Sequence, residues 1–579
     1  MTQVSQRERA VRSAGGLALA ALGGVLLGNA AASINLILAL LCAGLVLAGS
    51  LRFLDALKAT RWRPVHVVAA LLLVASGLLL AFWRTASLPV LALSISLVLL
   101  LGGALRLAAV FSNRAESRWH GALSAVTGLF ASVLVVFWPR LSLWVLAVAF
   151  GGWLVILGLH TLYRAWSDRI PPRPRWVTPL ARFGSGLLTA AGLVLVLALG
   201  SVTALIYGSG STAVPDGFYL PPASVPDEPG QLVRSEPLER MVPDGSRSWR
   251  ILYTTIDQDG APTLSSGVLT VPQDAAGELP VISWANGTKG VEPRCALSMA
   301  EDPYEDGPQR ARQQMLEAGW AIVATDYPGL GTAGVHPYLV PRAEAAAVLD
   351  ATRAAGQVEA VRFSGQTVFW GHSQGGHAAL SAAALADGYA PELGVLGTAA
   401  MAPASDLPVL AASVADSAAG KVVSSYIAAS WNTLYPELGI VDRLGRGASR
   451  SVERIAANCF SGTDVITAMA EASQLFEPVF PADALAGPIG ERLAENSAPL
   501  SLDTPVFLAQ GGADSLVTPT MQRGWRAAAC AAGTSIEYRE YPGLEHMGLV
   551  AGDSPLNADL VRWTGQLLQS RQTGENCGS

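Results

Sequence analysis

Seven apolar segments fill most of the first 207 residues, at about residues 14–31, 33–51, 66–83, 88–105, 120–138, 141–159 and 185–207. Lipid offers the backbone no hydrogen-bond partners, so runs of this length and composition favour helices that satisfy their own amides. The residues between the runs are charged asymmetrically. With the N-terminus on the cytoplasmic side, the inner segments hold Arg7, Arg9, Arg12, Arg52, Lys58, Arg61, Arg63, Arg106, Arg114, Arg118, Arg164, Arg169, Arg173, Arg175 and Arg182, whereas the outer turns hold only Arg84 and Arg140. Cationic loops stay inside, and an odd number of spans then carries everything after Tyr207 outside the cytoplasm. The small residues near Asn29 lead directly into another apolar run, so the first segment is expected to stay in place as a membrane helix rather than be removed as a leader.

The first six segments repeat with a period close to 54 residues. Gly49, Gly103 and Gly158 stand at equivalent places, Arg52 and Arg106 follow the first two, and Phe82-Trp83 and Phe137-Trp138 recur at outer turns, where aromatic rings suit the interface. Three tandem hairpins of this kind, over about residues 14–164, resemble the HdeD-like acid-resistance membrane family. The resemblance rests on repeat architecture and carries no catalytic motif. His66, His120 and His160 lie near segment ends and no acidic cluster accompanies them, which argues against a channel or pump. The seventh segment follows Pro171-Pro172-Arg173-Pro174 and reads as a tether outside the repeat. The expected organisation is an all-α multi-pass membrane domain at 1–170, a linker and seventh span at 171–210, and an extracytoplasmic domain at 211–579. At the start of that domain the prolines of Phe218-Tyr219-Leu220-Pro221-Pro222 suggest an extended path along a surface.

The remainder has globular composition, and its pattern is that of alternating strands and helices. Arg250–Ile256 and Leu264–Val271, joined through Asp259-Gly260, read as a hairpin; Leu279–Trp284, Trp320–Thr325, Thr367–Trp370, Gly394–Ala399, Thr504–Ala509 and Ser535–Tyr541 read as buried strands, with helical material such as Gln309–Ala318 and Glu344–Ala355 between them. A mostly parallel sheet covered by helices follows, and such sheets place their chemistry at the carboxyl ends of strands. Gly371-His372-Ser373-Gln374-Gly375 occupies one such end, between an apolar run and a helix of small residues. This is the setting of a nucleophile elbow, in which glycines two residues to either side let a serine stand above the sheet. Asp514, in Gln510-Gly511-Gly512-Ala513-Asp514, follows another strand, and His546 is the only histidine beyond it. The order Ser373, Asp514, His546 is that of an α/β-hydrolase. In this scheme His546 takes the serine proton, Asp514 orients the imidazole, and the backbone N–H of Gln374 donates to the oxyanion. A second donor is expected from Asn286-Gly287-Thr288-Lys289-Gly290, at Thr288 or Lys289. His336, His372 and His377 receive supporting or neutral roles, and Asp326 a structural one.

Taken together, Phe218–Pro222, Trp284–Gly290, Asp326-Tyr327-Pro328-Gly329-Leu330-Gly331, Gly371–Gly376, Ala402-Pro403-Ala404-Ser405-Asp406-Leu407 and the Asp514 and His546 positions resemble the secretory lipase family over about residues 216–570. The resemblance implies esterase or lipase activity on acyl esters and a cap at about 408–500. Where some members carry an acidic residue in the oxyanion loop, this chain has Thr288-Lys289. Cys42 falls in an apolar run, while Cys295, Cys459, Cys530 and Cys577 fall in the exported part, where disulfides form; four cysteines allow three pairings. The resemblance favours Cys295 with Cys459 and Cys530 with Cys577. A net charge of −6 without a basic patch argues against nucleic acid, and the absence of metal-ligand spacing or a phosphate-binding loop leaves no cofactor or metal to expect. The leading expectation is a membrane-embedded serine ester hydrolase acting on a lipid or other acyl ester. The alternatives are an envelope acyltransferase using the same triad, and a stress-related membrane scaffold whose hydrolase-like domain binds without turnover.

Overall fold

The computed structural model describes residues 6–28, 34–57, 63–82, 88–111, 118–166, 177–208, 213–275, 277–303, 309–359, 361–445, 448–571 and 573–577. The Pro171–Pro174 linker, Trp83, Lys58 and the basic residues Arg61, Arg84, Arg114, Arg169, Arg173 and Arg175 lie outside the described residues. Backbone proximity divides the chain into two units, Met1–Gly208 and, for nearly all the rest, Ser209–Ser473 with Glu477–Ser579.

The described residues up to Gly208 form the helices α1 (Gln6–Gly28), α2 (Ile34–Leu57), α3 (Arg63–Phe82), α4 (Leu88–Phe111), α5 (Arg118–Phe137), α6 (Pro139–Trp166) and α7 (Val177–Gly208). Each expected apolar segment lies largely on one of these helices. Among the described residues, four stretches are long and apolar enough to cross a membrane: Arg9–Gly28, Leu36–Leu54, Pro139–Tyr163 and Thr189–Ile206. Helices α4 and α5 contribute the shorter apolar stretches Ile95–Ala108 and Gly121–Phe137. The packing also departs from simple hairpins. The tightest partners are α2 with α3, α4 with α5, and α6 with α1, while α7 packs on α5. The three equivalent glycines supply the reason. A Cβ on Gly49 would sit 2.9 Å from Ala70 O on α3, on Gly103 3.1 Å from Ala125 O on α5, and on Gly158 2.6 Å from Gly16 O on α1. Each glycine thus lets the second helix of its repeat approach the first helix of the next, and the third repeat closes on the first.

The second unit holds a nine-stranded sheet in the order β1-β2-β3-β5-β4-β6-β7-β8-β9. Its strands are β1 (Leu232–Leu238), β2 (Ser246–Ile256), β3 (Pro262–Pro272), β4 (Leu279–Ala285), β5 (Ala321–Thr325), β6 (Phe363–His372), β7 (Val395–Met401), β8 (Val506–Gly511) and β9 (Ile536–Tyr541). β1, β2, β3 and β5 pair antiparallel in turn, and the sheet from β5 to β9 is parallel. Strand β1 carries no apolar alternation and holds Pro237; as an edge strand it tolerates both, which is why sequence patterning passes over it. The central strands are buried along β5 and toward the carboxyl ends of β4, β6 and β7, where helices cover both faces. On β6, Phe369 packs with Val348 and Leu349 of α9 (after α8, Gln309–Glu317, α9 spans Pro341–Ala355) and with Ala378 and Ala379 of α10 (Gln374–Tyr389). Its neighbour Trp370, fully buried, donates its indole N–H to Thr564 Oγ1 at 3.0 Å, on the last helix of the chain.

Between β7 and β8, where a cap is expected, the described residues form seven helices: α11 (Leu407–Ser413), α12 (Ala418–Leu434), α13 (Ile440–Arg443), α14 (Ser449–Ala456), α15 (Asp464–Ser473), α16 (Ala482–Leu485) and α17 (Pro488–Glu495). Helices α18 (Pro519–Ala531) and α19 (Leu556–Leu568) complete the unit. The cap leaves and rejoins the sheet at one place, where Ala498 N–H donates to Ser405 O at 3.0 Å and Leu407 N–H to Ser497 Oγ at 3.1 Å.

From Leu220 the chain is extended and exposed, as the prolines suggest, but the two aromatic residues before it turn inward. Gly217–Tyr219 form a 3-10 turn capped by Asp216, and Phe218 and Tyr219, each 3% exposed, pack against Leu252 and Leu264. Burial of the two aromatic rings holds this turn, on which the extended preference of the following prolines has no bearing. Glycine tolerance is narrow at the turn between β6 and α10: a Cβ on Gly375 would lie 1.9 Å from Ala285 O, whereas at Gly388 of the same helix nothing lies within 4 Å. Gly375→Ala is therefore expected to cost about 3 kcal/mol and Gly388→Ala to be neutral or stabilising, as read from the unfolding midpoints of the detergent-solubilised variants.

Candidate active site

Ser373 sits where β6 ends and α10 begins, with φ 57° and ψ −117°. A non-glycine residue is held there only when its surroundings over-determine it. They do: Ser373 N–H donates to Met401 O at 2.9 Å, and its carbonyl accepts from Ala404 N–H and His377 N–H, each at 3.1 Å. A Cβ on Gly371 would come within 2.0 Å of Gly375 O, so the turn closes only around glycine at both places.

Asp514 follows β8 and His546 follows β9, neighbouring parallel strands whose carboxyl ends lie together. Asp514 Oδ1 accepts from Leu516 N–H at 2.9 Å and Val517 N–H at 2.8 Å, which leaves Oδ2 facing His546 Nδ1 at 2.7 Å. A carboxylate cannot donate, so Nδ1 carries the hydrogen, and in the neutral ring the lone pair is on Nε2. The Asp514 side chain is fully buried and that of His546 is 11% exposed. The other flank of the imidazole meets His372, the residue before Ser373, with ring centroids 4.6 Å apart. His372 Nε2 lies 3.2 Å from His546 O and must donate to it. Burial, with the His546 charge as a second cause, holds the His372 pKa well below 6.5, so it stays neutral. His372 thereby joins the position next to Ser373 to the loop that carries His546. The sequence allowed it a supporting or a neutral role; its place beside the serine was the available signal.

The loop after β4 lies against the elbow at Gly287, where a Cβ would be 3.2 Å from His372 O and 4.0 Å from Ser373 Cβ. Asn286 is braced on both sides, donating from Nδ2 to Thr325 O at 2.5 Å and accepting at its carbonyl from Tyr327 Oη at 3.0 Å. Thr288 Oγ1 pairs with Tyr338 Oη at 2.8 Å, and Lys289, 6% exposed, accepts at its carbonyl from Phe460 N–H at 2.7 Å. Gln374, the other expected oxyanion donor, opens α10 immediately after the serine. Asp326 is buried away from this group. It accepts from Ser266 Oγ, Ser298 Oγ and Ser298 N–H, and burial raises its pKa.

Disulfides join Cys295 to Cys459 and Cys530 to Cys577. The first fastens the segment after the Asn286–Gly290 loop to the cap, beside the Phe460 to Lys289 hydrogen bond and an Arg294–Asp464 ion pair at 2.7 Å. It closes a chain separation of 164 residues, against 47 for the second. Replacing Cys295 and Cys459 together by alanine is expected to cost about 2–5 kcal/mol, roughly 1 kcal/mol more than the same change at Cys530 and Cys577. Paired unfolding midpoints check the order. Among the described residues no group of three or more His, Cys, Asp or Glu side chains is placed to hold a metal ion.

Residues 312–576 match the family described as Secretory lipase, and residues 67–135 and 123–198 match a Short repeat of unknown function (DUF308). The repeat match reaches into α7, which the sequence reading had set apart from the repeat. A probable inactive lipase of Mycobacterium tuberculosis is 30% identical over 208 residues, 33% of this chain and 46% of that protein. Lipase 5 of Candida albicans is 25% identical over 407 residues, 62% of this chain and 82% of that protein. A secreted triacylglycerol lipase of Malassezia globosa is 30% identical over 237 residues, covering 38% and 50%. The chain thus spans about half the length of two of these three relatives. Candida antarctica lipase A in its closed state superimposes with a TM-score of 0.53 at 18% identity, over 64% of this chain and 90% of that one, which shows the α/β-hydrolase fold of a lipase in the C-terminal unit.

Proposed function

Starting from a C-terminal region of secretory lipase type, we propose that the protein is a membrane-anchored serine ester hydrolase acting on lipid or other acyl esters outside the cytoplasmic membrane. The observation that carries this reading is the 2.7 Å contact of His546 Nδ1 with a buried Asp514, on an imidazole packed against the neighbour of a strained Ser373. In the first step His546 Nε2 takes the Ser373 hydroxyl proton as Oγ attacks the ester carbonyl, and the tetrahedral oxyanion is met by the Gln374 N–H together with the Thr288 or Lys289 N–H. Collapse expels the alcohol, to which His546 returns the proton. Water then attacks the acyl-serine by the same route and releases the acid. Asp514 holds the imidazole in the productive tautomer and stabilises its cation.

We place the N-terminus in the cytoplasm, seven helices across the membrane and the hydrolase outside. The supports are four apolar stretches of spanning length and the concentration of arginine on alternate loops. One relative is described as a probable inactive lipase, and that favours a second reading in which the domain binds without turnover. The presence of serine, histidine and aspartate in hydrolase order weighs against it. Hydrolysis of a graded series of p-nitrophenyl acyl esters by the detergent-solubilised protein tests the reading. Release that depends on Ser373 is expected, with product analysis in the presence of an added alcohol separating hydrolysis from acyl transfer; no Ser373-dependent release in a folded, disulfide-intact sample would overturn it.

A further inference from the structure

Directly behind the elbow lies a closed polar cluster that the triad does not use. Glu344, His336 and His377 are completely buried, Gln374 is 2% exposed and Asn496 7%. Glu344 Oε1 accepts from Gln374 Nε2 at 2.6 Å and from Leu339 N–H at 2.9 Å; Leu339 is a non-glycine residue held at φ 55°. Its other oxygen, Oε2, lies 3.0 Å from His377 Nδ1. His377 Nε2 lies 2.7 Å from Asn496 O, at the C-terminal cap of α17, where the cap returns to the sheet. On the far side, His336 Nδ1 is 3.1 Å from Pro328 O and must donate there, so its Nε2 accepts from Gln374 Nε2 at 3.1 Å.

The hydrogen count in this cluster is constrained. A carbonyl only accepts, so His377 Nε2 carries a hydrogen and donates it to Asn496. If His377 were neutral and Glu344 ionised, a nitrogen lone pair would face an oxygen lone pair 3.0 Å away in a buried site. One proton must therefore lie between Nδ1 and Oε2, and the pair is neutral overall wherever that proton rests. Burial favours this neutrality, since an isolated charge there would go uncompensated.

We infer that Glu344 is a positioning residue for the oxyanion hole. Sharing one proton with His377, it locks the Gln374 side chain, the start of α10 and the returning end of the cap into one rigid junction, so that the Gln374 N–H stays aimed at the oxyanion. The inference rests on the hydrolase reading above and adds a residue to it that the Ser, Asp, His order does not contain.

The test compares Glu344→Gln with Glu344→Met in the full-length protein. The carboxamide keeps an oxygen for Gln374 and Leu339 and offers an N–H to neutral His377, so the whole pattern survives without a charge. Methionine has similar volume and offers neither. With one oxyanion donor worth about 10²–10³ in kcat, a misaimed donor in Glu344→Met is expected to lower kcat about 10–100-fold with KM nearly unchanged, while Glu344→Gln stays within about threefold of the parent. Wild-type kcat in folded Glu344→Met, or equal loss in both variants, overturns the inference. Should Glu344→Met fail to fold, Gln374→Met cuts the same link while leaving the Glu344–His377 pair in place; it should lower kcat about tenfold at an unfolding midpoint close to the parent, and wild-type kcat there overturns the inference equally. If the parent itself shows no Ser373-dependent hydrolysis, the hydrolase reading is what fails. The one-proton junction is then read from unfolding midpoints, which Glu344→Gln should preserve and Glu344→Met lower, equal values sinking it.

Discussion

Ser373→Ala is expected to lower kcat for ester hydrolysis by about a millionfold while leaving the unfolding midpoint close to that of the parent. Nucleophile and base act as a unit, so removing the serine alone forfeits nearly all that the triad contributes; what remains over the uncatalysed rate, roughly 10³–10⁴-fold, comes from the oxyanion hole and binding. The fold should tolerate the change because the strained backbone at φ 57° is held by main-chain bonds to Met401, Ala404 and His377, none of which involves the hydroxyl. Steady-state rates on the preferred p-nitrophenyl ester, beside a melting curve, check both halves. A folded variant retaining more than about a thousandth of the parent kcat would mean that another group is the nucleophile.

Asp514→Asn should be the next largest loss, about 10⁴-fold in kcat, and its cause lies in hydrogen-bond direction rather than in charge alone. Leu516 N–H and Val517 N–H both donate to Oδ1. An asparagine satisfies them only by turning its oxygen that way, which presents its NH₂ to His546 Nδ1. The ring must then accept at Nδ1 and carry its hydrogen on Nε2, the atom required to take the serine proton. The opposite amide orientation would set two backbone donors against a third, in a side chain that is fully buried. Stability should change little and KM less than kcat. A kinetic series at fixed pH, with the ¹⁵N tautomer signature of His546, tests the argument; an unchanged tautomer accompanied by full activity would remove Asp514 from its role.

How legible these features were depended on the range of the interaction involved. The seven apolar segments could be placed on helices from composition because a span is specified by its own length and its own hydrogen bonds. Which helices pack together could not, since the preference of Gly49 for α3 over the other helix of its own repeat depends on an approach so close that a Cβ there would lie 2.9 Å from Ala70 O. The elbow was readable because its glycines, serine and flanking patterns are local in sequence. Strand β1 and the buried turn at Phe218-Tyr219 were missed for the converse reason: an edge strand has no alternation to detect, and the rings are held by Leu252 and Leu264, more than thirty residues away.

The sequence by itself determined the class of each half of the chain, the strand-to-helix turn that presents Ser373, and the candidates Asp514 and His546, because periodicity, glycine spacing and chain order are properties of contiguous residues. Only the tertiary structure decided that His372 braces the His546 loop, that the third membrane repeat packs back on the first, and that Glu344, His377, Gln374 and Asn496 meet behind the elbow. These residues come from α9, α10 and the far end of the cap, up to 152 positions apart in the chain. Short-range pattern carries no record of such meetings, and the hydrogen count that makes Glu344 informative exists only once burial removes water as an alternative partner.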